Sequence, residues 1–317
     1  MTPTVGVAIQ ATDARDFVAQ VQQAEAAGVP VAWCTIGGAA GADTLTAYAA
    51  ALATTSTIRV GTAIVPTWPR HPIVMASQAM TLEQLAPGRV RLGIGPSHEA
   101  NMRNSYGADF HHPLTELREY LVVIRALSTT GAVDFVGEHV TAKTTWRQPV
   151  PFELLASALR PRSFEVCGQL ADGAISWMCP RHYLVTQALP AIAGGAKRAD
   201  RPAPPLIAHV PIMVSSDRAA VRDLARKQLG GYMTSPFYLA MFKEAGFPGA
   251  NEGYSDGMLD DLVVSGTEAE ITERLRGYIV DGCGEILAHP LLEPDDRAGS
   301  IARAFGVVAA AHKAIAG

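Results

Sequence analysis

The feature that most constrains the fold of this 317-residue chain is an alternation of short apolar runs with amphipathic helical segments. Eight apolar, strand-like runs recur, and the segments between them carry the 3.6-residue periodicity of helices that pack on a core. Strands joined by helical crossovers pair in parallel, and eight of them form a closed barrel or an open doubly wound sheet. The count of eight favours an α/β fold, the (β/α)8 TIM barrel. The runs span residues 5–9, 31–34, 58–65, 90–94, 152–156, 174–178, 206–214 and 285–288.

Two regions depart from this rhythm. Residues 97–150 predict a loop, one long helix and a hairpin with strands at 133–135 and 139–141, which we interpret as an insertion after strand four. More helical segments lie between runs seven and eight than one crossover needs, and Thr267 with Glu270 forms a capping box before one of them. Because the β/α pattern continues through both regions, we expect a single domain over residues 1–317.

Composition excludes several classes of protein. The net charge is −4, and the 18% of charged residues are scattered, so nucleic acid is not an expected partner. The chain shows no signal-peptide pattern and no apolar run of membrane-spanning length, so we expect a cytoplasmic protein with no membrane partner. The four cysteines form no CxxC pair, and no Cys/His spacing resembles a metal site, so no metal is expected. After these exclusions, the partner that we expect is a small-molecule substrate.

In an α/β barrel the site lies at the carboxyl ends of the strands, which selects the residues that follow each run. A lyase or isomerase built on a barrel would require carboxylate or lysine side chains at these strand ends. The ends are nearly free of both, which argues against these two classes of enzyme. The candidate cofactor-binding residues are Thr35, Ala63, Ile64, Gly95, Pro96, Ser97, His98, Ala158, Leu159, Arg160, Trp177, Met178, Cys179 and Pro180.

Two of these strand ends carry a chemical argument. The glycines of the GIGPS segment let the backbone approach a planar ring, although the same pattern also makes an ordinary tight turn. Backbone N–H groups of Leu159 and Arg160 at a helix start would favour an anion, with Arg160, Arg162 and Arg181 clustered around it. The alternative for each arginine is a solvated surface position.

His98 is the candidate catalytic residue. An imidazole at this strand end could give or take a proton beside a bound ring, or hydrogen-bond the cofactor edge without titrating. His289 ends run eight and could line the pocket, although a lone histidine before proline is more often structural. His209 lies mid-strand and is expected in the core or barrel interior.

Two segments resemble a known family. Residues 69–99 (PRHPIVMASQAMTLEQLAPGRVRLGIGPSHE) resemble the signature of the luciferase-like flavin and deazaflavin oxidoreductases, and residues 159–178 (LRPRSFEVCGQLADGAISWM) resemble its fifth strand-to-helix turn. The dipeptide Ser97-His98 follows the glycine-rich strand, and it resembles the serine-histidine pair common at this position in the branch of the family assigned to coenzyme F420. The chain is therefore identified as a member of the luciferase-like monooxygenase superfamily, in its F420-dependent oxidoreductase branch.

The resemblance implies hydride transfer between coenzyme F420 and a small organic substrate in a homodimeric enzyme. It also implies a non-prolyl cis peptide at Ala63–Ile64, with Ile64 behind the central ring. Family members that oxidise sugar phosphates carry an aspartate–histidine pair after strand two, where this chain reads WCTIGG. An F420H2-dependent reductase of C=C, C=N or C=O therefore fits better. The alternatives are an FMN-dependent monooxygenase and a non-catalytic flavin-binding barrel.

Overall fold

The computed structural model describes residues 2–317, which form twelve strands and thirteen α-helices. The strands are β1 (Thr4–Ile9), β2 (Val31–Thr35), β3 (Arg59–Ala63), β4 (Val65–Pro66), β5 (Val90–Gly95), β6 (Ala132–Val136), β7 (Thr141–Thr145), β8 (Glu153–Ser157), β9 (Gly173–Ile175), β10 (Leu206–Val214), β11 (Val264–Gly266) and β12 (Glu285–Pro290). The helices are α1 (Ala14–Ala26), α2 (Thr44–Ala53), α3 (Pro72–Leu85), α4 (Glu99–Tyr106), α5 (Pro113–Thr130), α6 (Pro161–Leu170), α7 (Arg181–Tyr183), α8 (Leu189–Arg198), α9 (Arg218–Leu229), α10 (Pro236–Glu244), α11 (Asp256–Leu262), α12 (Glu268–Val280) and α13 (Arg297–Ala316).

Eight parallel strands close into a barrel. Their order is β10-β12-β1-β2-β3-β5-β8-β9, and β9 pairs back with β10. The predicted (β/α)8 barrel is therefore confirmed, and each predicted run contains or overlaps one of these strands. No helix among residues 2–317 combines the length and hydropathy needed to cross a membrane.

The region after β5 is more regular than the sequence predicts. Helix α5 packs between α3 and α6, as the ordinary crossover helix of a barrel does. The additional elements are α4 and the antiparallel β6–β7 hairpin. The second hairpin strand begins at Thr141, later than the predicted 139–141, because the backbone N–H groups of residues 138–140 donate to the Glu119 carboxylate and form the turn.

Extra helices before the last barrel strand are confirmed for α9, α10 and α12, and the Thr267–Glu270 capping box opens α12. Three elements are missing from the sequence prediction: α4, α11 and β11. Helix α4 buries only Met102, so it presents no apolar stripe that a periodicity search could detect.

The lower, amino-terminal end of the barrel is closed by an ionic cluster whose centre, Arg91 with Glu285, is buried, while Arg59 and Glu153 are about one third exposed. Arg91 is 4% exposed, and its guanidinium pairs with Glu285 (2.6 Å) and Glu153 (2.5 Å). Arg59 also pairs with Glu153, and the Arg91 guanidinium lies 4.7 Å from the centroid of the Trp33 ring. Because the four charged residues occupy the first or second position of their strands, the cluster lies far from the carboxyl ends, where it supports the fold.

Gly93 in β5 provides a stability prediction. A Cβ built on it would lie 2.0 Å from the backbone oxygen of Thr62 and 2.7 Å from Ile175 Cδ1, so the neighbouring strand would have to move. We expect Gly93→Ala to lower the free energy of unfolding by about 1–3 kcal/mol in urea titrations. Gly306→Ala is the matched control, since a Cβ built at this position of α13 meets nothing within 4 Å. This change should raise the free energy of unfolding by up to about 1 kcal/mol, because alanine favours a helix more than glycine does. Equal effects of the two changes would contradict the steric account.

Candidate active site

A cleft of about 1970 Å³ opens at the carboxyl ends of the barrel strands. It receives side chains from strand ends all around the barrel, from α4, α5 and the start of α6, and from the stretch that runs from the end of α9 through α10. This is the position that the fold predicts for a site. Ten of the predicted residues line it: Thr35, Ala63, Ile64, Pro96, Ser97, His98, Ala158, Leu159, Arg160 and Trp177.

Four predicted residues lie behind the cleft wall. Gly95 ends β5, where a Cβ would meet Ser157 Oγ at 2.1 Å, so its small size leaves room for a serine that does line the cleft. Met178 has φ of +55°, and this turn after β9 directs Met178 and Cys179 into the core. Pro180 precedes α7 and is also buried.

The end of β3 has the backbone that the resemblance implies. The Ala63–Ile64 peptide bond is cis. Both residues line the cleft and belong to the apolar cluster that fills the barrel interior. The side chain of Ile64 is therefore held by the barrel core while part of it contacts the cavity.

Two polar atoms of the cleft residues have no protein partner. Ser97 Oγ and Trp177 Nε1 are both shielded from solvent, and neither makes a hydrogen bond within residues 2–317. Ser97 also has φ of +63°, a left-handed conformation that is uncommon outside glycine. Buried polar groups are normally paired, so these two atoms fit a ligand that carries hydrogen-bonding groups at its edge.

An aromatic wall runs along one side of the cleft and consists of His98, Tyr238, Tyr232 and Trp177. The His98 ring stacks on Tyr238 (centroids 6.0 Å apart) and lies 5.8 Å from Tyr232, which contacts Trp177 at 5.8 Å. Burial lowers the pKa of His98 below its usual value. The tyrosines follow β10 by about twenty residues, so nothing in the sequence predicts that they reach His98.

A histidine pair lies on the other side of Trp177. His209 Nε2 is 3.3 Å from His289 Nδ1, and their ring centroids lie 4.0 Å and 4.9 Å from that of Trp177. Burial lowers the pKa of His289 to about 4, and burial together with the neighbouring His289 lowers the pKa of His209 well below its usual value. The pair is therefore neutral at pH 7. His209 was expected in the core or barrel interior, and β10–β12 pairing brings it into the cleft beside His289.

The predicted anion site at the start of α6 is wrong in two respects. The backbone N–H groups of Leu159 and Arg160 both donate to Ser163 Oγ at 3.1 Å, so both are already paired within the chain and are not free to bind an anion. Arg181 does not join the cluster, because its guanidinium pairs with Asp281 at 2.7 Å. Arg162 does line the cleft, as Arg160 does.

The charge of the lining is nevertheless positive. Within residues 2–317 the lining contains four arginines, two glutamates and no lysine or aspartate. Both glutamates pair with arginines, Glu99 with Arg103 at 2.8 Å and Glu244 with Arg160. The remaining two, Arg162 and Arg297, have no carboxylate partner among the ion pairs of residues 2–317, so an anionic ligand is favoured.

Glu116 of α5 is a buried carboxyl group close to the cleft wall. Burial raises its pKa to about 7, although Thr67 Oγ1 donates a hydrogen bond to it at 2.7 Å. A carboxyl group whose folded pKa is raised binds more protons in the folded state. The Glu116 carboxyl group therefore contributes fully to stability at pH values below 4.5, its pKa in the unfolded chain. This contribution is lost as the pH rises through about 7, its pKa in the folded protein.

We therefore expect Glu116→Gln to change how stability depends on pH. Relative to the unmodified protein, the variant should gain about 2–3 kcal/mol in unfolding free energy between pH 5 and pH 8. Urea titrations at several pH values measure this difference directly. If the difference between the two proteins stays constant over that range, Glu116 has an ordinary pKa.

Both the sequence and the fold of this chain resemble those of known proteins. A family model described as luciferase-like monooxygenase matches residues 2–283. An uncharacterized protein of Mycobacterium tuberculosis is 26% identical over 210 residues, which cover 61% of this chain, and the chain spans about three fifths (62%) of that protein's length. The F420-dependent glucose-6-phosphate dehydrogenase of Beutenbergia cavernae is 29% identical over 297 residues, which cover 87% of each protein.

Two solved structures illustrate the likeness of fold. An F420-dependent secondary alcohol dehydrogenase in complex with an F420–acetone adduct has a TM-score of 0.81 and 19% identity, covering 98% of this chain and 99% of that one. The oxygenating constituent of 3,6-diketocamphane monooxygenase from Pseudomonas putida, in complex with FMN, has a TM-score of 0.70 and 14% identity, covering 98% of each chain. At these identities the structures support the barrel alone.

Proposed function

The chain belongs to the luciferase-like monooxygenase family, and on that premise we propose that it is an oxidoreductase that transfers a hydride between coenzyme F420 and a small organic substrate. We propose that it acts as an F420H2-dependent reductase of C=C, C=N or C=O. The observation that carries the proposal is the cleft itself, which is large, net positive and free of unpaired carboxylates. Such a cleft suits an anionic cofactor that brings its own redox chemistry.

The residues present fit a deazaflavin. Its planar ring system needs hydrogen-bonding partners at the edge, which Ser97 Oγ and Trp177 Nε1 could supply because both are buried and unpaired. Its phosphodiester and polyglutamate tail are anionic and suit the positive lining near Arg162. When bound, the cofactor would supply the hydride, while the protein orients the two reactants and excludes water.

The protein would also supply a proton. Reduction of a double bond by hydride requires one proton, and His98 can hold it on an imidazole nitrogen against the aromatic wall. His209 and His289 remain neutral through the physiological range, so their role is to offer hydrogen bonds. No acid–base pair follows β2, where Thr35, Ile36 and two glycines line the cleft. This lining supports reduction over sugar-phosphate oxidation.

An FMN-dependent monooxygenase is the second candidate, because the same fold carries FMN in the diketocamphane enzyme. A non-catalytic flavin-binding barrel is the third. The name of the Beutenbergia relative, which aligns over 87% of this chain, supports F420 over FMN. We also propose a homodimer, on the family resemblance alone, which light scattering would test.

Titration of the purified protein with F420 and, separately, with FMN tests the cofactor. We expect micromolar F420 binding by fluorescence and much weaker FMN binding. Arg162→Ala should weaken F420 binding, whereas Arg181→Ala, whose guanidinium pairs with Asp281, should not. Tight FMN binding would favour the monooxygenase, and binding of neither compound would overturn the site.

A further inference from the structure

A second cluster of chemically active side chains lies outside the cleft, between the α5 start and the β6–β7 turn. It consists of His112, Glu138 and His139, whose candidate ligand atoms all lie within 4.8 Å of one another. His112 Nδ1 is 2.7 Å from Glu138 Oε1, and His139 Nε2 is 3.5 Å from the same oxygen. Neighbouring ligands around a tetrahedral zinc ion, with bonds of about 2.0–2.1 Å, are separated by about 3.3 Å. The 3.5 Å separation is close to that value, whereas the 2.7 Å contact between His112 and Glu138 is a hydrogen bond that a bound ion would replace and lengthen.

The cluster is preorganised by one helix. The Glu119 carboxylate on α5 accepts the backbone N–H groups of residues 138, 139 and 140 at 2.7–2.9 Å, which fixes the turn that carries Glu138 and His139. His112 directly precedes α5, and its carbonyl oxygen accepts the N–H groups of Thr115 and Glu116. Both segments are therefore held in place by α5.

One ring nitrogen in the cluster lacks a partner. His139 Nε2 is shielded from solvent and makes no hydrogen bond within residues 2–317, although a carboxylate lies 3.5 Å away. The His139 ring packs edge-on against Trp68, with centroids 5.9 Å apart, and its side chain is only 14% exposed. An unpaired buried nitrogen costs stability unless a ligand satisfies it, and a metal ion beside Glu138 would do so.

We propose that His112, Glu138 and His139 bind one divalent transition-metal ion, with zinc as the best match. Two imidazoles and one carboxylate form a zinc ligand set, whereas calcium and magnesium prefer oxygen ligands alone. The fourth position is open to water or to a ligand from outside. The site is independent of the proposed cofactor, and the 25 residues between His112 and Glu138 explain why no spacing in the sequence indicates it.

Metal binding at this site would fix part of the cleft wall. Phe110 lies two residues before His112, lines the cleft and stacks on Trp68 with centroids 5.3 Å apart. Trp68 in turn contacts His139. A bound ion would join the 107–112 loop to the hairpin turn and so hold Phe110 in position.

Calorimetric titration of the full-length, tag-free, chelator-treated protein with ZnCl2 tests the proposal. We expect one equivalent of Zn²⁺ to bind, and at least tenfold weaker binding in His112→Ala and Glu138→Gln. His111→Ala is the matched control, because this exposed neighbour faces Asp109 and should bind zinc like the unmodified protein.

The His112 side chain is 71% exposed, so its removal should leave the fold intact, which circular dichroism checks. Visible absorption of the Co²⁺ form provides a second measurement, with the strong bands of a tetrahedral site expected in the unmodified protein and His111→Ala only. Failure to bind one equivalent, or equal loss in His111→Ala and His112→Ala, would overturn the proposal.

Discussion

Replacing His98 with alanine is expected to lower kcat for reduction by about 10²–10⁴-fold while changing the Kd for F420 little. The reason is that the imidazole would deliver the proton that accompanies hydride transfer. Because burial lowers the pKa of His98, kcat should fall as the pH rises through a value below the usual histidine pKa. The variant should lose this dependence. Steady-state kinetics with F420H2 from pH 5 to pH 8 measure both effects.

Tyr238→Phe is the matched control, since it keeps the ring that stacks on His98 and removes only the hydroxyl group. It should retain most of the activity and the same pH profile. If His98→Ala instead raises the Kd for F420 and leaves kcat unchanged, His98 binds the cofactor edge without titrating.

Replacing Arg91 with leucine should lower the free energy of unfolding by about 3–5 kcal/mol. The change leaves the carboxylates of Glu285, which is 3% exposed, and Glu153 without their buried partner. The double variant Arg91→Leu, Glu285→Gln should recover part of that loss, because it removes one uncompensated charge. Urea or guanidinium titration with linear extrapolation measures all three proteins.

The surface pair Arg103–Glu99 on α4 is the control for this prediction. Arg103→Ala should cost less than about 1 kcal/mol, since both side chains are more than one third exposed. A similarly small cost for Arg91→Leu would contradict the view that the lower end of the barrel depends on the ionic cluster.

The fold could be predicted because its signal is repetitive and local. Each barrel strand is an apolar run next to a helical segment with amphipathic periodicity, so eight weak signals agree on one architecture. Helix α4 could not be predicted, because it buries only Met102. The hairpin register depends on Glu119, nineteen residues away from the turn residue that it fixes, and no local pattern records that contact.

The candidate site could also be predicted only where its residues follow local sequence signals. Residues that directly follow a strand, such as Ile64, Ser97 and Trp177, could be predicted to line the cleft from the fold alone. Tyr232 and Tyr238 could not, because a helical segment far from the strand ends places them against His98. The orientation of backbone N–H groups at α6 depends on the local choice of Ser163 as their acceptor, which competes with any external anion.

The most direct test of the central claim is turnover of reduced cofactor without oxygen. The protein would be incubated anaerobically with F420H2 and a panel of enones, imines and ketones, and F420 formation would be followed by absorbance. The account predicts substrate-dependent oxidation of F420H2 that needs no oxygen and is lost in His98→Ala. Oxygen uptake with FMNH2 and product formation only in air, with F420H2 inert, would contradict it and identify a monooxygenase.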